Sequence, residues 1–113
     1  MARKVNVMEC IGTPSAITQE LGDLLYGEIV KSIDASEKII LDFSDIESMI
    51  TPFLNNAIGK LYGRYSGETI AKYLEIINMP KEKVSTVNMV ISNAKKFYSN
   101  RDEYQKAIKD VIG

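Results

Sequence analysis

The sequence predicts an α/β fold, with a mostly parallel sheet of three to four strands packed with helices and an extra C-terminal helix. Three observations lead there. KIILDF (Lys38 to Phe43) is a continuous apolar run with the composition of a strand buried on both faces, as in a parallel sheet. Apolar stripes at helical spacing lie before and after it. The two patterns alternate along the chain, as strand–helix units joined by right-handed crossovers do.

Val5 and Val7 alternate with polar neighbours, which predicts a short strand near a sheet edge, over Lys4–Met8. Gly12-Thr13-Pro14-Ser15 breaks it. Pro14 or Ser15 then opens a helix in which Ile17, Leu21, Leu24, Leu25 and Ile29 recur at spacings of three and four. Gly22 and Gly27 weaken that helix by roughly 1 kcal/mol each, and a close approach of its backbone to the sheet would explain them. After the strand at Lys38–Phe43 comes a loop, Ser44 to Ile50, and then a helix from Thr51 to about Tyr65. Its stripe is Leu54, Ala57, Ile58, Leu61 and Tyr65, with Ser66-Gly67 as the stop. A third strand is expected at Tyr73–Ile77, and a fourth fits Glu9 to Thr13. Asn78-Met79-Pro80 starts another helix, with Val84, Val87, Ile91, Ala94 and Tyr98 as its apolar face. Asn100, with Glu103 in capping-box position, announces a last helix carrying Tyr104, Ala107, Ile108, Val111 and Ile112.

Size and composition set the class. A chain of 113 residues with 45% hydrophobic content fits one domain, 1–113. The formal net charge is −1, with 14 basic and 15 acidic residues, so no field for nucleic acid is evident. No apolar run reaches the roughly 20 residues of a membrane span. The N-terminus lacks the apolar core of a signal peptide. With one cysteine, Cys10, no internal disulfide can form, and a cytoplasmic location is the expectation.

The chain holds no histidine, which removes the usual nucleophile pairs, imidazole metal ligands and the commonest general base. No glycine-rich phosphate loop is present. Asp42, Asp45 and Glu47 cluster before the Thr51 helix, yet their spacing matches no calcium loop and suits local solvation better. Cys10 has no cationic neighbour in sequence that would activate a thiol. Tyr62, Tyr65 and Tyr73 read as aromatics at the edge of the core. The expectation is therefore no enzyme, no cofactor, no metal and no catalytic residue.

The most informative stretch is SMITPFLNNAIGKLY, Ser48 to Tyr62. Thr51 at the N-cap with Pro52 behind it is a sound helix start, worth roughly 1 kcal/mol. Its neighbours are apolar: Met49 and Ile50 precede it, and Phe53 lies about 100° off the Leu54 stripe. Either the three pack sideways onto the strand ends, or they form an exposed patch of the kind that marks a partner site. From Thr51 to Gly67 the ionic side chains are Lys60 and Arg64, so no carboxylate competes for the positive end of the helix. A phosphate on Thr51 would add roughly −1.5 to −2 charges to such a patch and weaken binding there.

KIILDFSDIESMITPFLNNAIGKLY resembles the central strand–loop–helix of the STAS superfamily, the fold of anti-anti-sigma factors. It is most similar to the bacterial STAS-like domain family of unknown function, through Ile50, Thr51, Phe53, Leu54, Asn55, Ala57, Ile58, Gly59, Leu61 and Tyr62. The resemblance is good over Lys38 to Ile77 and loose elsewhere. It implies a small STAS-like fold and a regulatory module that switches protein partners, among them an ATPase of the histidine-kinase type. It places Thr51 on the phospho-acceptor position, with Met49, Ile50, Phe53, Asn55 and Asn56 on the partner surface. Where anti-anti-sigma factors carry an Asp-Ser-Ser-Gly-like helix start, this chain has Ile50-Thr51-Pro52-Phe53. A passive structural or oligomerisation domain without a switch, associating as a homo-oligomer, stays open beside the regulatory reading.

Overall fold

The computed structural model describes residues 2–112, with side chains as far as Ser99. The elements are β1 (Ala2–Asn6), α1 (Val7–Ile11), β2 (Ser15–Ala16), α2 (Gln19–Asp34), β3 (Lys38–Asp42), β4 (Ser48–Met49), α3 (Thr51–Ala57), a 3-10 helix (Gly59–Gly63), α4 (Gly67–Tyr73), β5 (Leu74–Ile77) and α5 (Lys81–Ile112). The main sheet is parallel throughout, in the order β1-β3-β5, and β2 and β4 form a second, smaller parallel sheet. This is the predicted α/β class, with three strands in the main sheet.

β3 lies at the centre because its apolar run has two partners. Side chains paired in register share a face. Val5, Leu41 and Ile76 look toward the helices, while Lys4, Ile40 and Glu75 look away. Ile39, Leu41 and Phe43 are fully buried. On the far face Lys4 approaches Asp42 at 3.9 Å and Lys38 approaches Glu75 at 3.2 Å. β3 is thus buried on one face and half-covered on the other, which corrects the expectation of burial on both. β1 is an edge strand, as expected, but it ends at Asn6.

The expected fourth strand at Glu9–Thr13 is replaced by α1. Asn6 is its N-cap and accepts a hydrogen bond from the Glu9 N–H at 3.0 Å. Gly12, at φ 81°, closes it in the left-handed conformation. Val7 is a buried helix residue, not the end of a strand. α2 begins later than Pro14 or Ser15: Thr18 is its cap and accepts from the Leu21 N–H at 3.1 Å. Leu25 and Ile29 bury as predicted, whereas Ile17 and Leu24 are exposed, and Gly22, Ser32 and Ile33 complete the inner face.

α2 meets α3 at Gly22. A Cβ there would stand 2.6 Å from the Phe53 carbonyl oxygen. The glycine lets two helix backbones touch, not a helix and a sheet, and Gly27 has open space around it. The predicted stripe Leu54, Ala57, Ile58 and Leu61 is buried in the core. The helix that carries it is not continuous to Tyr65: α3 ends at Ala57 and the chain tightens into the 3-10 helix. Ser66-Gly67 is a start, not a stop, because Ser66 caps α4 by accepting from the Thr69 N–H at 3.1 Å. On α5, Val87, Val90 and Ala94 are buried while Val84 is exposed. α5 is one element where two helices were expected, and the cap at Asn100 with Glu103, together with the face from Tyr104 onward, lies outside the described side chains.

Candidate functional site

β2 and β4 run side by side under the start of α3, with Ala16 paired to Met49. Strand alternation decides what each residue does. Ala16 and Met49 point inward, at 0% and 5% exposure, and each strand then delivers its next residue outward. Ile17 and Ile50 are those residues, 50% and 38% exposed. They are held together by a hydrogen bond from the Ile50 N–H to the Ala16 carbonyl, 3.1 Å long. Two β-branched apolar side chains thus stand next to each other at the rim from which both α2 and α3 depart.

Thr51 is the first helical residue, with Pro52 after it. The cap position belongs to Ile50, whose backbone is extended at φ −111° and ψ 157° and whose side chain can make no cap hydrogen bond. This corrects the expectation that Thr51 caps the helix. A cap needs extended backbone so that its oxygen can reach back to a first-turn N–H, and Thr51 is already inside the turn. Its side chain is half-exposed beside Ile50, and the first turn holds no acid. Pro52 and Asn55 are exposed on the same short helix.

The expected apolar patch of Met49, Ile50 and Phe53 is not an exposed triplet. Phe53 is fully buried and Met49 nearly so; both belong to the core. The Phe53 carbonyl lies where α3 crosses Gly22, and its ring, off the Leu54 stripe, is buried all the same. Asn56 is a tie between helices. Its amide donates to Asp23 Oδ1 at 3.0 Å and to the Gln19 carbonyl at 3.4 Å. Lys60 donates to the same Asp23 oxygen at 2.8 Å and lies 4.5 Å from the centre of the Tyr26 ring. The Lys60 hydrogen bond, with help from Asn56, holds the Asp23 carboxyl below the usual carboxylate range.

Asp42 and Asp45 are taken up by separate hydrogen-bond partners. Asp42 accepts from the Asn78 amide at 3.0 Å and from the Ser44 N–H at 2.9 Å, and those bonds hold its carboxyl low. Asp45 accepts from Asn6 at 2.8 Å. Among the described residues no group of three or more Cys, Asp or Glu side chains is placed to hold a metal ion. Cys10 is half-buried at the core edge, and burial pushes its thiol up, away from the thiolate. Among the described residues no helix is long and apolar enough to cross a membrane.

Sequence reasoning missed Ile17. Its spacing to Leu21 and Leu24 read as one helical stripe, although Ser15-Ala16-Ile17 also has the out–in–out pattern of a short strand. What the site offers chemically is small: two exposed isoleucines, a half-buried threonine and no acid in the adjoining helix turn.

A family model described as a STAS-like domain of unknown function (DUF4325) matches residues 22–83, from α2 into the first turn of α5. No curated protein and no solved structure matches the chain.

Proposed function

Because the chain belongs to the family of STAS-like domains of unknown function, we propose that it is a regulatory module of the bacterial cytoplasm. It acts by reversible protein binding through the rim where β2 and β4 end and α3 begins. The observation that carries this reading is the Ile17–Ile50 pair, exposed one residue past the core residues Ala16 and Met49 of β2 and β4, with the half-buried Thr51 next in the chain. Paired apolar side chains on a rigid edge favour association, since each gains by leaving water on contact. A phosphoryl group on Thr51 would set roughly −1.5 to −2 charges against that contact, which gives the surface an off state. An ATPase of the histidine-kinase type is the partner class that the family resemblance names, and Asn55 is the neighbouring polar contact.

Affinity capture from the native host tests this with three baits: the wild-type chain, Ile17→Asp and Ile50→Asp. Ile17 is exposed and outside any helix, so Ile17→Asp keeps the wild-type melting temperature; aspartate at the cap position of α3 can bond a first-turn N–H, so Ile50→Asp melts at or above it. A protein retained by the wild-type chain and by neither variant supports the rim. A partner held equally by all three overturns it.

The passive alternative also has a supporting observation. Val84, Met89 and Phe97 are exposed on α5, Phe97 at 61%. Light scattering that finds a dimer in the wild-type chain and a monomer in Phe97→Asp, together with no partner captured through the rim, would favour oligomerisation without a switch.

A further inference from the structure

A cavity of about 440 Å³ opens between the 3-10 helix, the start of α4 and α5, away from the rim. Tyr62, Arg64, Tyr65, Ser66, Lys95 and Tyr98 line it, with the backbone of Gly63 and Gly67 at its floor. Its size falls in the usual range for small-molecule sites. Glycine at 63 makes room for a wall of the cavity: a Cβ there would stand 2.4 Å from the Tyr98 ring.

The walls have one sign of charge. No carboxylate of the described residues lines the cavity, while two cations do. Lys95 has no carboxylate within ion-pair distance among the described residues; its ammonium lies 5.8 Å from the centre of the Tyr62 ring. Arg64 is fixed in place from behind. It donates through Nη2 to Asp34 at 2.9 Å and through Nε to the Tyr65 hydroxyl at 3.1 Å, and that hydroxyl donates to Asp34 at 2.6 Å. The remaining guanidinium N–H groups stay available as donors. Three tyrosine rings and two cations around one opening make a site for a ligand with a flat ring and a negative group.

We propose that this cavity binds a small aryl anion, with its charge on Lys95 and Arg64 and its ring against Tyr62 and Tyr98. Arg64 is the contact already held in place, by Asp34 and Tyr65, and Lys95 is the one beside the Tyr62 ring. The aromatic surface is what separates such a ligand from a bare anion, because ring–ring contact adds to the charge–charge term. The site is distinct from the Ile17–Ile50 rim, so either can fail without the other.

Backbone amide NMR titrations of the full chain test it with phenyl phosphate, inorganic phosphate and phenol as probes. The expected result is that phenyl phosphate moves the Gly63, Gly67 and Ser99 amides, at an affinity at least about tenfold above that of either inorganic phosphate or phenol. Lys95→Glu should weaken phenyl phosphate by at least about tenfold, the scale of one hydrogen bond to a charged group. Lys96→Glu, one residue on and outside the cavity, should leave it unchanged. No movement at those amides, equal affinity for phenyl phosphate and inorganic phosphate, or equal loss in both lysine variants would overturn the proposal.

Discussion

Replacing Gly22 and Gly27 by alanine, one at a time, should move stability in opposite directions. Both glycines sit inside α2, and both carry the same intrinsic cost relative to alanine, about 1 kcal/mol. At Gly27 a new Cβ meets nothing within 4 Å, so the substitution keeps that gain. At Gly22 it would lie 2.6 Å from the Phe53 carbonyl oxygen, 3.0 Å from Asn56 Cβ and 3.3 Å from the Ala57 nitrogen. Two of those atoms are backbone and cannot turn aside, so α2 and α3 must separate by several tenths of an ångström. A gap of about 0.5–1 Å forfeits a quarter to a half of each dispersion contact across it. The contacts at stake include those of Leu25, Phe53 and Leu54, all buried. Overpacking of this kind costs about 1–3 kcal/mol, which equals or exceeds the propensity gain. Urea unfolding followed by circular dichroism should place Gly27→Ala about 1 kcal/mol above the wild type and Gly22→Ala as much as about 2 kcal/mol below it. Gly22→Ala as stable as Gly27→Ala would refute the close helix crossing on which the placement of α3 rests.

Phe53→Ala should cost about 3–5 kcal/mol in the same assay, because the ring is fully buried; a loss below about 1 kcal/mol would put it on the surface. Ser66→Ala should cost about 1 kcal/mol by removing the cap of α4, whereas Thr51→Ala, which removes no cap, should stay within about 0.5 kcal/mol of the wild type. Acid should destabilise the fold through Asp34, Asp42, Asp23 and Glu28. Hydrogen bonds from Tyr65 and Arg64, from Asn78 and Ser44, from Lys60, and from Arg3 lower these carboxyls relative to the unfolded chain. Their contribution is complete above the unfolded carboxylate range and is lost as pH falls through the lower folded values. Melting temperatures measured from neutral pH downward should therefore fall on entering that range, and a flat profile would contradict the pairings.

How much was legible depended on the length of each signal. The apolar run at β3 stood out because the central strand of the sheet carries it, and the short run at β5 because Leu74, Ile76 and Ile77 flank a single acid, Glu75. Leu54, Ala57, Ile58 and Leu61 kept their periodicity even though the helix tightens after Ala57, since a 3-10 turn shifts the side chains without turning them out of the core. α1 was lost because Val5 and Val7 alternate like a strand, although Asn6 with Glu9 three residues later carries a cap signal. Ser66 was read as an end for a similar reason: Ser-Gly serves both as a stop and, with Thr69 to bond, as a start. At the candidate site, β2 and β4 are two residues each, too short for a period to show. Which way Met49, Ile50 and Ile17 point depends on that pairing, so the exposed pair became visible only with the strands in place. Thr51-Pro52 was recognised as a helix opening one position out of register, and a one-residue difference at a cap changes which side chain bonds the backbone.

Calorimetric titration of a purified partner, obtained by capture, into wild-type chain, Ile50→Asp and Thr51→Glu tests the central claim most directly. Glutamate in the first helical turn is compatible with the helix dipole, so the Thr51 variant stays folded while placing a charge beside the isoleucine pair. The account predicts that neither variant melts below the wild type, Ile50→Asp gaining a cap for α3, and that both bind at least about tenfold more weakly, the scale of desolvating a charge against an apolar contact. Equal affinity across all three would contradict it, and the Ile17–Ile50 rim would then be a solvent-facing edge of the fold with no part in binding.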